Sequence, residues 1–535
     1  MAPGGSGWPG GTPSPARKSG KPRSSFRGPT SPEPRQRPRS PHPKSRSPRL
    51  MKLLPLAPED AGSREAFGRF LAACREQARA RGRPQLASIT LEASHLDPLA
   101  VLESIYEPGE LHFYCEQRSS DFAVAGAEAV VRFDPEGESR FAHARAFIEE
   151  TLENTIAIGD LSLPFGGPHF FATFGFFGSP KRRSAFPSAT VFVPRWQVAG
   201  REGRFSAVAN LLVEPDADLE AIAAKVWRAR EKFSAFDYSR AQSEPVRGAA
   251  AFAVTEVGDG PDFRRRVEAA LGLIEAGAFE KIVLARAVDA VAPSALHPLG
   301  VLNALRQRFP ECYAFSAGNG HGQSFIGATP ERLVRVIDGT LATEALAGSA
   351  PRGRTAAEDA RFASELLRSE KDRREQRLVL DSVLRRLRAL GIEAAAEGPA
   401  RIKRMQNVQH IHTPVRGAMP DGMHILDAVS ALHPTPAVGG TPREAACAHI
   451  PTLEPFERGL YAGPLGWVDP QGGGEFVVGI RSALVDGDRA RLYAGAGIVA
   501  GSEPEREFRE TELKFRAVLD ALREVEAGDS AGGER

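Results

Sequence analysis

The chain has 535 residues, 42% hydrophobic and 25% charged, with 69 Lys and Arg against 67 Asp and Glu, the balance of an ordinary globular protein. That balance is uneven: residues 1–50 hold eleven basic side chains and one acidic one, Glu33, so the remaining 485 residues carry 58 basic and 66 acidic groups, a net −8. An acidic body argues against nucleic-acid binding as its main activity, no apolar run approaches the roughly 20 residues needed to span a bilayer, and four scattered cysteines without a CxxC pair point to a reducing, cytoplasmic setting.

Residues 1–50 contain twelve Pro, seven Gly and nine Ser with almost nothing apolar. Such a segment buries too little surface to offset its chain entropy and is expected to be disordered. It reads as a solvated tail, as an Arg- and Ser-rich targeting peptide, or as sequence upstream of a natural start at Met51. Residues 51–240 follow as a sheet-rich region, with strands expected at 110–115, 127–133, 189–194 and 205–213 and a helix at 140–152. The polar stretch 234–247 reads as a connection.

Residues 250–525 carry the stronger signal. Helical spacing covers 263–275, strands are expected at 281–291 and 324–328, and one long amphipathic helix within 356–390 places Leu380, Val383, Leu384 and Leu387 at i, i+3, i+4, i+7. Strands at 460–468, 476–485 and 491–499 precede a last helix, 504–525. There is no regular βαβ alternation and no internal repeat.

Glu507, Glu510 and Lys514 share one face of the last helix, continuous with Val518 and Leu522. They are either a solvated first turn complementing the helix dipole or charges that need a partner. Glu375 borders the buried stripe of the long helix. If it met Glu510, their repulsion would call for a divalent cation of the kind that takes oxygen ligands. Lys281 opens a strand, either snorkelled at an edge or buried and able to accept a proton. Glu331 follows Pro330 and could begin a helix; it is a general acid only if burial raises its pKa. Small, flexible segments at 345–349, 438–441 and 494–498 let backbone N–H groups approach an anion, and Arg481 offers a bidentate fork to a carboxylate. His433 reads as structural, without the context of a metal or nucleophile motif.

The order of these pieces is more telling than any one of them. Phe279-Glu-Lys-Ile-Val-Leu-Ala-Arg286, Phe325-Ile-Gly-Ala-Thr-Pro-Glu-Arg-Leu333, Thr343-Glu-Ala-Leu-Ala-Gly-Ser349 and Glu370-Lys-Asp-Arg-Arg-Glu375 occur in sequence. Leu432-His-Pro-Thr-Pro-Ala-Val-Gly-Gly440, Gly459-Leu-Tyr-Ala-Gly-Pro-Leu-Gly-Trp467, Gly479-Ile-Arg-Ser-Ala483, Ala494-Gly-Ala-Gly-Ile-Val499 and Glu507-Phe-Arg-Glu-Thr-Glu-Leu-Lys514 follow. Together they resemble the chorismate-utilising enzymes, strongly over 250–525 and loosely over 51–240, and within them the isochorismate synthases. The resemblance implies an α+β fold, a large antiparallel sheet assembly with helices outside it, in which the two regions form one catalytic domain.

The resemblance also implies an isomerase acting on chorismate with Mg²⁺. Lys281 would be the base that activates water at C2 and Glu331 the acid that protonates the departing C4 hydroxyl. Glu375 and Glu510 would hold the metal with Glu507 in support. Gly348, Ser349, His410, Arg481, Gly495 and Lys514 would hold the substrate. Lysine at 281 and alanine at 347 weaken the amination readings, so no glutamine amidotransferase partner is expected. Gln376 departs from the family, where a histidine commonly follows the metal-ligand glutamate. Isochorismate made by such an enzyme feeds menaquinone, a catechol siderophore or salicylate; two alternatives stand, a salicylate synthase that goes on to eliminate pyruvate and a non-catalytic protein that binds through its basic tail.

Overall fold

Apolar residues cluster in short runs broken by glycine and turn residues, and in the computed structural model these runs become strands of one continuous, mainly antiparallel sheet. The structure describes residues 51–53, 64–93, 95–180, 182, 184–234, 252–258, 262–406 and 408–529. The expected tail 1–50 and residues 235–247 of the expected connection lie outside them.

Pairing runs antiparallel from Lys281–Val291 through Arg489–Val499, Ser482–Asp486, Gln323–Thr329 and Tyr313–Asn319 to Leu111–Gln117. It passes through Phe122–Phe133 and Ala189–Arg201. It then returns through Phe170–Phe174, Pro464–Val468, Gly474–Val478, Arg332–Ile337 and Thr340–Pro351 to Val408–Ala418. Strands of the N-terminal region therefore lie in the middle of the ladder, with C-terminal strands on both sides of them. Among the described residues, parallel pairing is confined to Thr155–Ile158 with Gln85–Ala93 and with Lys52–Leu53.

Two turns carry the chain from one arm of this ladder to the other. Gln323–Thr329 passes through Pro330 and Glu331 into Arg332–Ile337, and Gly474–Val478 passes through Gly479, Ile480 and Arg481 into Ser482–Asp486. The turns are tied to the strands beside them: the Val478 N–H donates to the Glu331 carbonyl at 3.0 Å, and the Ala328 N–H to the Arg481 carbonyl at 3.2 Å. Glu331 thus lies between two strands and does not begin a helix. The single strand expected over 476–485 is two, because Arg481 has φ +50°, a left-handed conformation that interrupts the ladder.

The segment 356–390 is likewise two helices, Ala356–Arg368 and Glu370–Ala389. Ser369 divides them with an extended backbone, and its Oγ accepts from the Asp372 N–H at 3.2 Å, which caps the second helix. The second helix packs on Thr340–Pro351 and buries Val379, Val383 and Leu387. The last helix, Pro504–Asp529, lies on Arg489–Val499 and on the helix Pro298–Arg308. It buries Phe515, Val518, Ala521 and Leu522, and burial of each large apolar side chain is worth about 1.5–3 kcal/mol. The segments 345–349 and 494–498, expected to be flexible, lie inside strands. Helices Arg64–Arg81, Leu219–Ser234, Ile425–Leu432 and Arg443–Leu453 had no counterpart in the sequence reading.

Candidate active site

Where the two arms meet, a cavity gathers Glu331, Gly348, Ser349, His410, Arg481 and Gly495, and Glu375, Glu510 and Lys514 reach it from the helices Glu370–Ala389 and Pro504–Asp529. Lys281 and Glu507 do not line it. Lys281 is 0% exposed, held between Gly440–Thr441 and Arg489–Val499. It is therefore not at an edge, and its Nζ reaches the cavity through Glu375, whose Oε1 it meets at 2.7 Å.

Each acidic group expected at a metal is engaged by a lysine. Besides Lys281 with Glu375, Lys371 Nζ donates to Glu507 Oε1 at 3.0 Å and Lys514 Nζ to Glu510 Oε1 at 2.8 Å. Burial, then the neighbouring Glu510 charge, push the Glu507 carboxyl above its ordinary value. Burial opposes ionisation of Glu510, but Lys514, Lys371 and Arg506 together outweigh it and the group lies below its ordinary value. Among the described residues no three His, Cys, Asp or Glu side chains form a metal-holding group. Two carboxylates from different helices, Glu375 and Glu510, do face one cavity. That fits Mg²⁺, which takes one or two protein carboxylates and leaves its other positions to water and an anionic ligand. Glu507 is turned to Lys371, behind that pair.

Close packing explains the small residues. A Cβ on Gly497 would stand 2.9 Å from Glu375 Oε1 and 3.0 Å from Lys281 Cε, so a larger residue there would push one side chain of the pair aside. Gly348 has φ +72°, and a Cβ there would stand 3.0 Å from Asp372 Cβ; the strand bulges at this point. Gln376 donates from Nε2 to Thr413 Oγ1 at 2.7 Å, anchoring the helix of Glu375 to the strand of His410.

Cations line the cavity as well. Arg481 donates to His410 Nε2 at 3.2 Å, and His410 Nδ1 lies 3.0 Å from Ser349 Oγ. Because a guanidinium only donates, Nε2 is the acceptor and the proton sits on Nδ1. Burial, then Arg481 and Lys514, lower the His410 pKa to about 3, so the ring is neutral. Lys514 Nζ also donates to the Gly495 carbonyl at 2.7 Å. Glu331 is 7% exposed. Burial, and next the charge of Glu344, raise its pKa to about 7, which lets it hold a proton at neutral pH.

The sequence reading gave no role to Tyr461 and Tyr493, whose rings stack 5.1 Å apart at 15° and line the cavity. It also missed Glu344 and Lys403. Tyr461 and Glu344 lie inside the quoted motifs, but nothing in their spacing reports a contact made across the sheet. His433 packs against Phe141 and Phe176 and lies 3.0 Å from the Phe176 carbonyl, a structural role.

Comparison with known proteins identifies the family. The profile of the family described as chorismate binding enzyme matches residues 70–523. The salicylate biosynthesis isochorismate synthase of Pseudomonas aeruginosa is 35% identical over 452 residues, 83% of this chain and 92% of that one. Isochorismate synthase MenF of Bacillus subtilis is 32% identical over 461 residues, 84% of this chain and 94% of that one. The structure of MenF, the menaquinone-specific isochorismate synthase from Escherichia coli, superposes with a TM-score of 0.67 at 27% identity, covering 84% of this chain and 99% of that one. With the match running through both sheet-rich regions and across every element that lines the cavity, the chain belongs to the chorismate-binding enzyme family.

Proposed function

We propose that the chain is an isochorismate synthase, an isomerase that converts chorismate to isochorismate. The observation that carries this reading is a buried carboxylic acid, Glu331, facing a cavity also lined by Glu375, which pairs with Lys281 behind it, and by the cations Arg481 and Lys514. A dianionic substrate suits those cations, with Gly348, Ser349, His410 and Gly495 completing its seat.

In this reading Lys281 acts as the neutral amine, having given up the proton it shares with Glu375 at rest, and its Nζ accepts a proton from the water that attacks C2. The ring double bonds shift, and Glu331 gives its proton to the C4 hydroxyl, which leaves as water. One water enters and one departs, so no oxidant or reductant is required. Mg²⁺, held by Glu375 and Glu510 with Glu507 supporting its waters, would supply positive charge to a substrate carboxylate. Because the incoming nucleophile is water and not ammonia, no amidotransferase partner is needed. The four cysteines, Cys74, Cys115, Cys312 and Cys447, lie far apart in the sequence with no CxxC pair, which supports a reducing, cytoplasmic setting.

The test is to incubate the purified protein with chorismate and Mg²⁺ and separate the products. Isochorismate is expected, with turnover lost in EDTA and restored by added Mg²⁺. Salicylate with pyruvate as the main products would overturn the reading, and an unchanged rate in EDTA would remove the metal from it.

A further inference from the structure

The turn that carries Glu331 is held on every side. The Glu331 N–H donates to Thr329 Oγ1 at 3.2 Å, and its carbonyl accepts from Val478 at 3.0 Å. On the residue before it, the Pro330 carbonyl accepts from Lys403 Nζ at 3.1 Å. On the residue after it, the Arg332 N–H donates to Glu344 Oε1 at 3.1 Å. The last two contacts come from one buried cluster. Lys403 Nζ lies 3.3 and 3.2 Å from the two Glu344 oxygens, and His412 Nε2 lies 2.7 Å from Oε2. A carboxylate only accepts, so His412 carries its proton on Nε2 toward Glu344.

We infer that Glu344, with Lys403 and His412, is the positioning unit for Glu331, gripping the peptide groups on either side of the acid and setting the electric field at its proton. The inference rests on the reading of Glu331 as the general acid. Glu344 itself is 8% exposed. Burial opposes its charge, but His412, Lys403 and Arg332 overcome this and bring its pKa to about 2. It is therefore a fixed negative charge across the working pH range. A fixed negative charge beside a buried carboxyl favours the proton-bound form, and a cation favours the ionised form. Glu344 and Lys403 therefore act on Glu331 in opposite directions.

Other charged or titratable groups face Glu331 from the elements around the cavity: Lys281 behind Glu375, Lys514 and Glu510 on the last helix, Arg481 on the crossing turn, and His410 and Tyr461. None of these contacts the backbone of the turn in the way that Glu344 and Lys403 do. The cluster is drawn from three strands, Thr340–Pro351, Arg401–Arg404 and Val408–Ala418. The short strand Arg401–Arg404 pairs with Val408–Ala418, which places Lys403 at the turn.

The experiment is a set of pH profiles of kcat and KM for chorismate with Mg²⁺, on the wild type, Glu344→Gln, Glu344→Asp and Lys403→Met, with Glu331→Gln as the reference. Glu344→Gln is expected to lower kcat at pH 8 about tenfold or more with KM little changed, and to move the alkaline limb down by about one pH unit. Lys403→Met is expected to move that limb up, and Glu344→Asp to keep it near the wild-type position. Limbs that stay in place in Glu344→Gln and Lys403→Met, or that move in the same direction, overturn the inference when Glu331→Gln is inactive. A fully active Glu331→Gln removes the acid itself and the inference with it. If Glu344→Gln does not fold, Lys403→Met decides alone, since its side chain is 26% exposed and its loss leaves Glu344 paired with His412.

Discussion

A carboxyl buried in a turn between two strands keeps its proton near neutral pH because ionisation there is opposed first by burial and then by Glu344. The sign of the effect on stability follows. With the folded pKa raised from the ordinary 4.5 to about 7, the folded chain binds the proton more tightly than the unfolded chain. The contribution of Glu331 to stability is therefore full at low pH and is lost as pH climbs from 4.5 to 7. Glu331→Gln keeps the shape without the charge. It is expected to lose about a thousandfold or more in turnover yet to melt at a higher temperature than the wild type at pH 8, by on the order of 2 kcal/mol of stability. Thermal melts of both proteins at pH 5 and pH 8 check this, and a wild type that is equally or more stable at pH 8 contradicts it. The identity of Glu331 was legible from its motif, but its environment was not. Glu344 and Lys403 reach the turn from 12 and 73 residues away in the chain, and His412 holds Glu344 from 68, on strands whose register no local pattern reports.

At the scale of elements, the sequence made the helical faces legible and hid the breaks. Glu507, Glu510 and Lys514 do share a face of the last helix, because a spacing of i, i+3, i+7 is a property of the helix itself. The division at Ser369 and the left-handed Arg481 went unseen, since serine also occurs within helices and a non-glycine residue gives no sign of a positive φ. The strand Arg489–Val499 shows why small residues recur beside the Lys281–Glu375 pair. Gly497 leaves no room for a methyl group between them, so Gly497→Ala must displace one side chain or the other. That change is expected to lower kcat at least tenfold while costing about 1–3 kcal/mol of stability. Steady-state kinetics with a denaturant titration separate the two effects, and wild-type kcat in Gly497→Ala would show that the pair's geometry is not needed.

Across the whole molecule, the near-neutral total conceals an acidic body with a cationic cavity wall and a basic segment at residues 1–50. In the proposed reaction Arg481 and Lys514 meet the substrate inside that body, and no step calls on the basic segment. Removing residues 1–50 is therefore expected to leave kcat and KM for chorismate within about twofold of the full chain, an ordinary margin for a change remote from the chemistry. Loss of turnover would tie the segment to catalysis, and salt-sensitive binding of nucleic acid confined to the full chain would give it a separate role. The sheet's path could not be read from strand order alone. Its N-terminal strands stand between two C-terminal arms, and the arms meet at Glu331 and Arg481. In the proposed reaction this meeting point directs water to C2 of chorismate while Glu331 releases the C4 hydroxyl. Turnover in oxygen-18 water, stopped at early conversion and analysed by mass spectrometry, tests it most directly. Isochorismate carrying a single labelled oxygen at its C2 hydroxyl is the predicted result, and unlabelled isochorismate would contradict it.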